Sequence, residues 1–184
     1  MKQLFLAFML FISMSTNAQS VVSFKLAETG SFVAEDGKDF VVVPFEGKTA
    51  HQIFQQLSVN ANALYKNPSK VVSVVDDASI SIRAFDDQIS FEKDLIQKFW
   101  LTGYYNLNFE IKDGRVKVSG PIIESVSRAT STYDKDFSKM VRGWFKNGEL
   151  KDKFKAQVEY TEDNMNNLIN AILGSTKKKA EEDW

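Results

Sequence analysis

Tyr105–Gly120 reads YNLNFEIKDGRVKVSG, two alternating runs joined at Asp113-Gly114. An Asp-Gly link between such runs is a hairpin signal, because a type I′ turn needs positive φ at both of its central residues. Counting outward sets the register: Ile111 faces Val116 and Phe109 faces Val118 on one side. On the other side Glu110 faces Lys117 as an opposite-charge pair. One face is apolar and must be covered, and the chain encodes amphipathic helices to cover it. The predicted class is α+β: an antiparallel β-sheet of about five strands covered by helices, in the order strand, helix, strands, helices.

Upstream, the same parity puts Phe99, Leu101, Tyr105 and Leu107 on the apolar face and Trp100, Thr102 and Tyr104 on the other. Val71–Val75 and Ser79–Phe85 read as the preceding strands, turned at Asp76-Asp77-Ala78, with Ile80, Ile82 and Ala84 sharing a face. Asp86–Gln97 fits neither the strand nor the helix period and reads as a loop or an irregular strand. Downstream, Ile122–Val126 prolongs the partner strand after Gly120-Pro121, and Ser127–Tyr133 is a polar connection.

Ala50, Ile53, Phe54, Leu57, Ala61, Leu64 and Tyr65 form one stripe, which predicts a helix over Thr49–Lys66. Thr49 and Gln52 have capping-box spacing at its start, and Asn67-Pro68 ends it. A second helix is predicted through Phe137, Met140, Val141, Trp144 and Phe145, capped by Asp134 and stopped by Asn147-Gly148. A last helix carries Met165, Leu168, Ile169, Ile172 and Leu173 and begins as early as Leu150. Before all of these, Ser20–Phe45 holds the short extended runs VVSF, SFVA and FVVVPF, with Pro44 near the end of Asp39–Phe45 suggesting an edge or a strand terminus.

The chain opens with MKQLFLAFMLFISMSTNAQS: one lysine, an apolar run from Leu4 to Met14 and a small residue at Ala18. That is the pattern of a secretory signal peptide cut after Ala18. The organisation read from it is 1–18 signal and 19–184 a single α+β domain, whose helical C-terminal part covers about 134–184. No later segment approaches the roughly 20 apolar residues that a bilayer span needs. The sequence has no cysteine, so it has no disulfide, no thiolate nucleophile and no lipid-modified cysteine to tether it. The expectation is a free periplasmic or secreted protein.

FEGKTAHQIFQQLSVNANALYKNPSKVVSVVDDASISIRAF, the hairpin stretch and WFKNGELKDKFKAQVEYTEDNMNNLINAIL are together similar to the DUF4468 family. This is a domain of unknown function, found in exported proteins of Bacteroides-type bacteria, with a fold like that of the TATA-box-binding protein (TBP). The resemblance spans about 40–173. It is carried by Gly47-Lys48 before the first helix, the YKNPSKV exit, the KDG hairpin and the KNG turn. Asp76-Asp77 departs from it, standing where relatives are expected to have a glycine-containing turn. The resemblance implies a TBP-like fold and supplies no catalytic residues.

The chemistry on offer is sparse. Lys and Arg number 23 against 24 Asp and Glu, a net charge of −1, which leaves no basic excess for a phosphate backbone and argues against a nucleic-acid partner. Neither G-x-S-x-G nor a phosphate-cradling glycine loop occurs. His51 is the only histidine. Asp76-Asp77 and Asp86-Asp87 are carboxylate pairs without calcium-loop spacing, so no catalytic residue, metal ligand or cofactor is assigned. Trp100 and Tyr104, aromatic residues on the polar face, are the candidate binding residues. The reading is a non-catalytic module that binds an envelope protein or a small hydrophobic ligand. Its alternatives are a hydrolase using His51 with nearby carboxylates, and an envelope component that self-associates through the Asp39–Phe45 edge.

Overall fold

The hairpin forms in the register its sequence dictates: Ile111 pairs with Val116, Phe109 with Val118 and Glu110 with Lys117, whose ammonium donates to Glu110 at 2.8 Å. The structure, a computed structural model, describes residues 21–94, 96–128, 131 and 133–175. The signal-peptide reading and the final KKKAEEDW therefore lie outside the described residues. The turn itself departs from type I′, since only Gly114 has positive φ (72°) and Asp113 does not. Tertiary contacts hold it instead. The Asp113 carboxylate accepts from Ala50 N–H at 2.7 Å, and Gly114 donates to Lys48 O and accepts from Phe45 N–H.

In chain order the elements are β1 (Lys25–Leu26), β2 (Phe32–Val33), β3 (Phe40–Pro44), α1 (Ala50–Leu64), the one-turn α2 (Pro68–Val71), β4 (Val72–Val75) and β5 (Ser79–Lys93). They continue as β6 (Lys98–Lys112), β7 (Arg115–Ser119), β8 (Ile122–Arg128), β9 (Lys135–Asp136), α3 (Phe137–Arg142), β10 (Phe145–Lys146), β11 (Glu149–Leu150) and α4 (Lys155–Leu173). The main sheet runs β3-β7-β6-β5-β4, with β8 on β6 and β9 on β8. Its pairings are all antiparallel. β7 and β8 lie end to end along one side of β6, so β8 does prolong the partner strand.

α1 buries Ile53, Leu57 and Ala61, and α4 buries Met165, Ile169, Ile172 and Leu173. They lie over the face formed by Ile80, Ile82, Leu101, Leu107, Phe109, Val116 and Val118. The capping box predicted at Thr49 and Gln52 is present.

Asp86–Lys93 belongs to β5. The register with β6 shifts between Asp86 and Ser90, and a bulge of this kind breaks the two-residue period that would have identified a strand. Ile89, Ser90 and Phe91 are consequently buried in succession. β4 reaches only Ile82, so β5 beyond it would present a bare edge. α4 covers that edge: Gln157 donates to Phe91 O at 3.0 Å and the Tyr160 hydroxyl to Gln88 O at 2.9 Å.

The N-terminal VVSF run is extended, yet α4 rather than the sheet holds it. Asn170 accepts from Val22 N–H and donates to Val22 O, both at 2.8 Å. Asn166 treats Phe24 in the same way at 2.8 and 2.9 Å, and Glu162 accepts from Leu26 N–H at 2.8 Å. Residues four apart on a helix rise about 6 Å, close to the roughly 6.6 Å between alternate residues of a strand. Glu162, Asn166 and Asn170 thus serve residues 22, 24 and 26 as a neighbouring strand would. The side chains of Val22, Phe24 and Leu26 are meanwhile buried in the core.

Two helix boundaries differ from expectation. α3 is capped by Asp136, whose carboxylate accepts from Lys139 N–H, and not by Asp134. It ends at Arg142, because Trp144 and Phe145 turn into the core and into β10. Asn147-Gly148 is the β10–β11 hairpin turn, with φ of 53° and 82°. Leu150 lies in β11, and a 3-10 turn over Asp152–Phe154 precedes α4.

Candidate functional site: the outer face of the sheet

Strand alternation sends Arg83 and Phe85 of β5, Tyr104 and Asn106 of β6 and Glu124 of β8 to the face opposite α1 and α4. Phe85 and Tyr104 are cross-strand partners, with ring centroids 5.3 Å apart in an edge-to-face contact. They remain 55% and 42% exposed, and Ile122, paired with Asn106, is 55% exposed. Arg83 stacks over the Tyr104 ring at 4.4 Å and makes a two-pronged ion pair with Glu124 at 2.8 and 2.7 Å. Asn106 donates to the same carboxylate at 2.8 Å. The result is an apolar centre with a hydrogen-bonded polar border, the usual anatomy of a protein-binding patch.

Two cations of this face are matched by carboxylates, Arg83 by Glu124 and Lys117 by Glu110. The hydrogen bond from Arg83, and then that from Asn106, hold the Glu124 carboxyl down at about 2 against an ordinary 4.5. A depressed acid contributes stability that is fully present above its unfolded value, near 4.5, and lost as pH falls through about 2. In a carboxyl-carbon NMR titration the Glu124 midpoint is expected near 2, moving up toward 4.5 in Arg83→Gln. An unmoved midpoint would mean that the ion pair does not form in solution.

The two aromatic residues singled out in the sequence are in different situations. Tyr104 stands on the open face. Trp100, on the same face four residues away, is half-covered by Phe91 at 6.1 Å and Tyr160 at 5.3 Å between ring centroids. The side on which Phe85 lies was legible, because Ile80, Ile82 and Ala84 share the other face of its strand; its pairing with Tyr104 was not, because the register with β6 shifts between Asp86 and Ser90. Tyr160 had no such signal, since it reaches Trp100 from α4 around the β5 edge.

His51 does meet a carboxylate. Its Nδ1 lies 2.8 Å from Asp77 Oδ1, and its Nε2 is 2.9 Å from the Gln55 amide. Those partners place the proton on Nδ1, the tautomer a general base would need. Here, however, Gln55 occupies Nε2, and the His51 and Asp77 side chains are 61% and 47% exposed. The pair ties the β4–β5 turn, where Asp77 has φ of 58°, to the first turn of α1. The Asp86 carboxylate is engaged elsewhere, accepting from Asn164 at 2.8 Å. Among the described residues no group of three or more His, Cys, Asp or Glu side chains is placed to hold a metal ion. No described helix is long and apolar enough to cross a membrane.

β3 is an edge strand of the main sheet, as its proline suggested. An open groove of about 700 Å³ runs between Phe40–Val42 and the clamped segment Val21–Lys25.

No family model matches the chain, and no curated protein matches it. Two crystal structures are similar in fold. A TBP-like protein from Parabacteroides distasonis superposes with a TM-score of 0.54 at 14% identity, covering 74% of this chain and 89% of that one. A DUF4468 family protein from Bacteroides ovatus gives 0.55 at 12% identity, over 89% and 95%. At these identities the likeness shows the fold, and it is the TBP-like fold that the sequence resemblance implied.

Proposed function

We propose that this chain, a TBP-like α+β fold shared with a DUF4468 protein, is an exported, non-catalytic member of that family that binds a protein partner in the cell envelope. Export rests on the signal-peptide pattern of residues 1–18, and the absence of cysteine favours a free periplasmic or secreted form. The observation that carries the binding reading is the Phe85–Tyr104 pair, two large rings left open on a face that α1 and α4 leave uncovered. Contiguous exposed apolar side chains rimmed by polar groups mark interaction surfaces. Fold alone does not assign the partner.

A photo-crosslinking residue at position 104, expressed in the native host, tests this directly. It is expected to capture one defined envelope protein, while the same probe at Val59 on the exposed side of α1 captures none, and Phe85→Ser should abolish the capture. Equal labelling at both positions, or none at 104, would overturn the reading. Capture of a second copy of this chain would replace it with self-association. The hydrolase alternative has the His51–Asp77 contact in its favour, but Gln55 occupies Nε2 and both side chains stand exposed.

A further inference from the structure

Lys98 begins β6 on the outer face, and its ammonium lies 3.7 Å from the Trp100 ring centroid, 4.0 Å from Phe91 and 5.2 Å from Tyr160. The three rings stand 5.3 to 6.1 Å apart, steeply inclined to one another, and make a cup whose mouth the cation fills. No carboxylate among the described residues lies within ion-pair distance of Lys98, in contrast to Lys25, Lys38, Lys117, Lys135 and Lys155.

The cup is built rather than incidental. Phe91 is 6% exposed, Tyr160 is fixed by its hydroxyl on Gln88 O, and Trp100 packs against both rings. Ring quadrupoles attract a cation at such distances, most strongly over indole. The Tyr160 hydroxyl is pushed up by burial first and then by the Asp86 and Asp87 carboxylates.

We propose that the Phe91–Trp100–Tyr160 cup is a binding site for alkylammonium ligands, closed in this state by the chain's own Lys98. The lysine stem is four carbons long and starts from an exposed position at the β5–β6 hairpin end, so the ammonium can swing into solvent without disturbing the strands. A tethered competitor acts at an effective concentration in the millimolar range or above. The site is therefore weak in the native chain and strengthened when Lys98 is removed.

The test follows the indole N–H signal of Trp100 by NMR while n-butylammonium, which reproduces the deleted side chain, is added to the wild type and to Lys98→Ala. Butan-1-ol serves as a neutral control of similar shape. The expected result is a saturable Trp100 shift in Lys98→Ala, at least about tenfold tighter than in the wild type and at least about tenfold tighter than for butan-1-ol. It should be lost in Lys98→Ala/Trp100→Leu. No saturable shift in Lys98→Ala, or a response to butan-1-ol as strong as to the amine, would overturn the proposal. Lys98 supports none of the core, so Lys98→Ala folds and either result is readable. The cup does not touch the Phe85–Tyr104 pair, so its failure would leave the partner reading standing.

Discussion

Phe24→Ala is expected to lower the free energy of unfolding by about 3–5 kcal/mol, the range for emptying a fully buried aromatic site. In a chain of this length that corresponds to a fall in Tm of roughly 10 °C. Phe24 is fully buried in the main core, although it lies in no ladder-paired strand. The segment around it is placed by α4, from about 140 residues away in the chain. Urea unfolding measures the effect, and the slope with denaturant should stay unchanged. A loss below about 1 kcal/mol would mean that the N-terminal segment is peripheral and that the core closes without it.

Asn170→Ala is expected to cost about 2–4 kcal/mol, for a different reason. The side chain is nearly buried and satisfies both Val22 N–H and Val22 O, while its amide also reaches Asn166 O. Truncation strands two backbone groups away from water, at about 1–3 kcal/mol each, with partial relief as the segment shifts. Asn108→Ala, on the open face of β6, provides the contrast and should stay within about 0.5 kcal/mol of the wild type. Equal effects at the two positions would show that the hydrogen bonds from Asn170 to Val22 contribute no more than an exposed asparagine does. Asn166→Ala should behave like Asn170→Ala, and the double variant should fall short of the sum because both release one segment.

These two variants test a region that local reading described only in part. VVSF was legible as extended, and Asn166 and Asn170 stand in the sequence as polar positions beside the apolar stripe of α4. Their meeting was not, because a polar side chain on a helix reads as solvent-facing until a partner is known. The candidate site divides in the same way. The sides on which Tyr104 and Phe85 lie follow from alternation and hairpin register, which are local. The covering of Trp100 follows from Tyr160, and the bulge at Asp86–Ser90 that reorients Phe91 hides the period on which the reading depends.

What the sequence by itself determined is the set of features built from neighbours a few residues apart. These are the Phe109–Val118 and Glu110–Lys117 register, the Thr49–Gln52 capping box, the apolar stripes of α1 and α4 and hence the α+β class. Each rests on backbone geometry that repeats every two or every 3.6 residues. The tertiary structure alone decided the shape of the Asp113-Gly114 turn, the length of β5, the anchoring of residues 22–26 on α4 and the gathering of Phe91, Trp100 and Tyr160 around Lys98. In each of these the deciding contact joins groups far apart in the chain. A hydrogen bond or ring contact of that kind leaves no period in the sequence, because its geometry exists only once the sheet and α4 have packed.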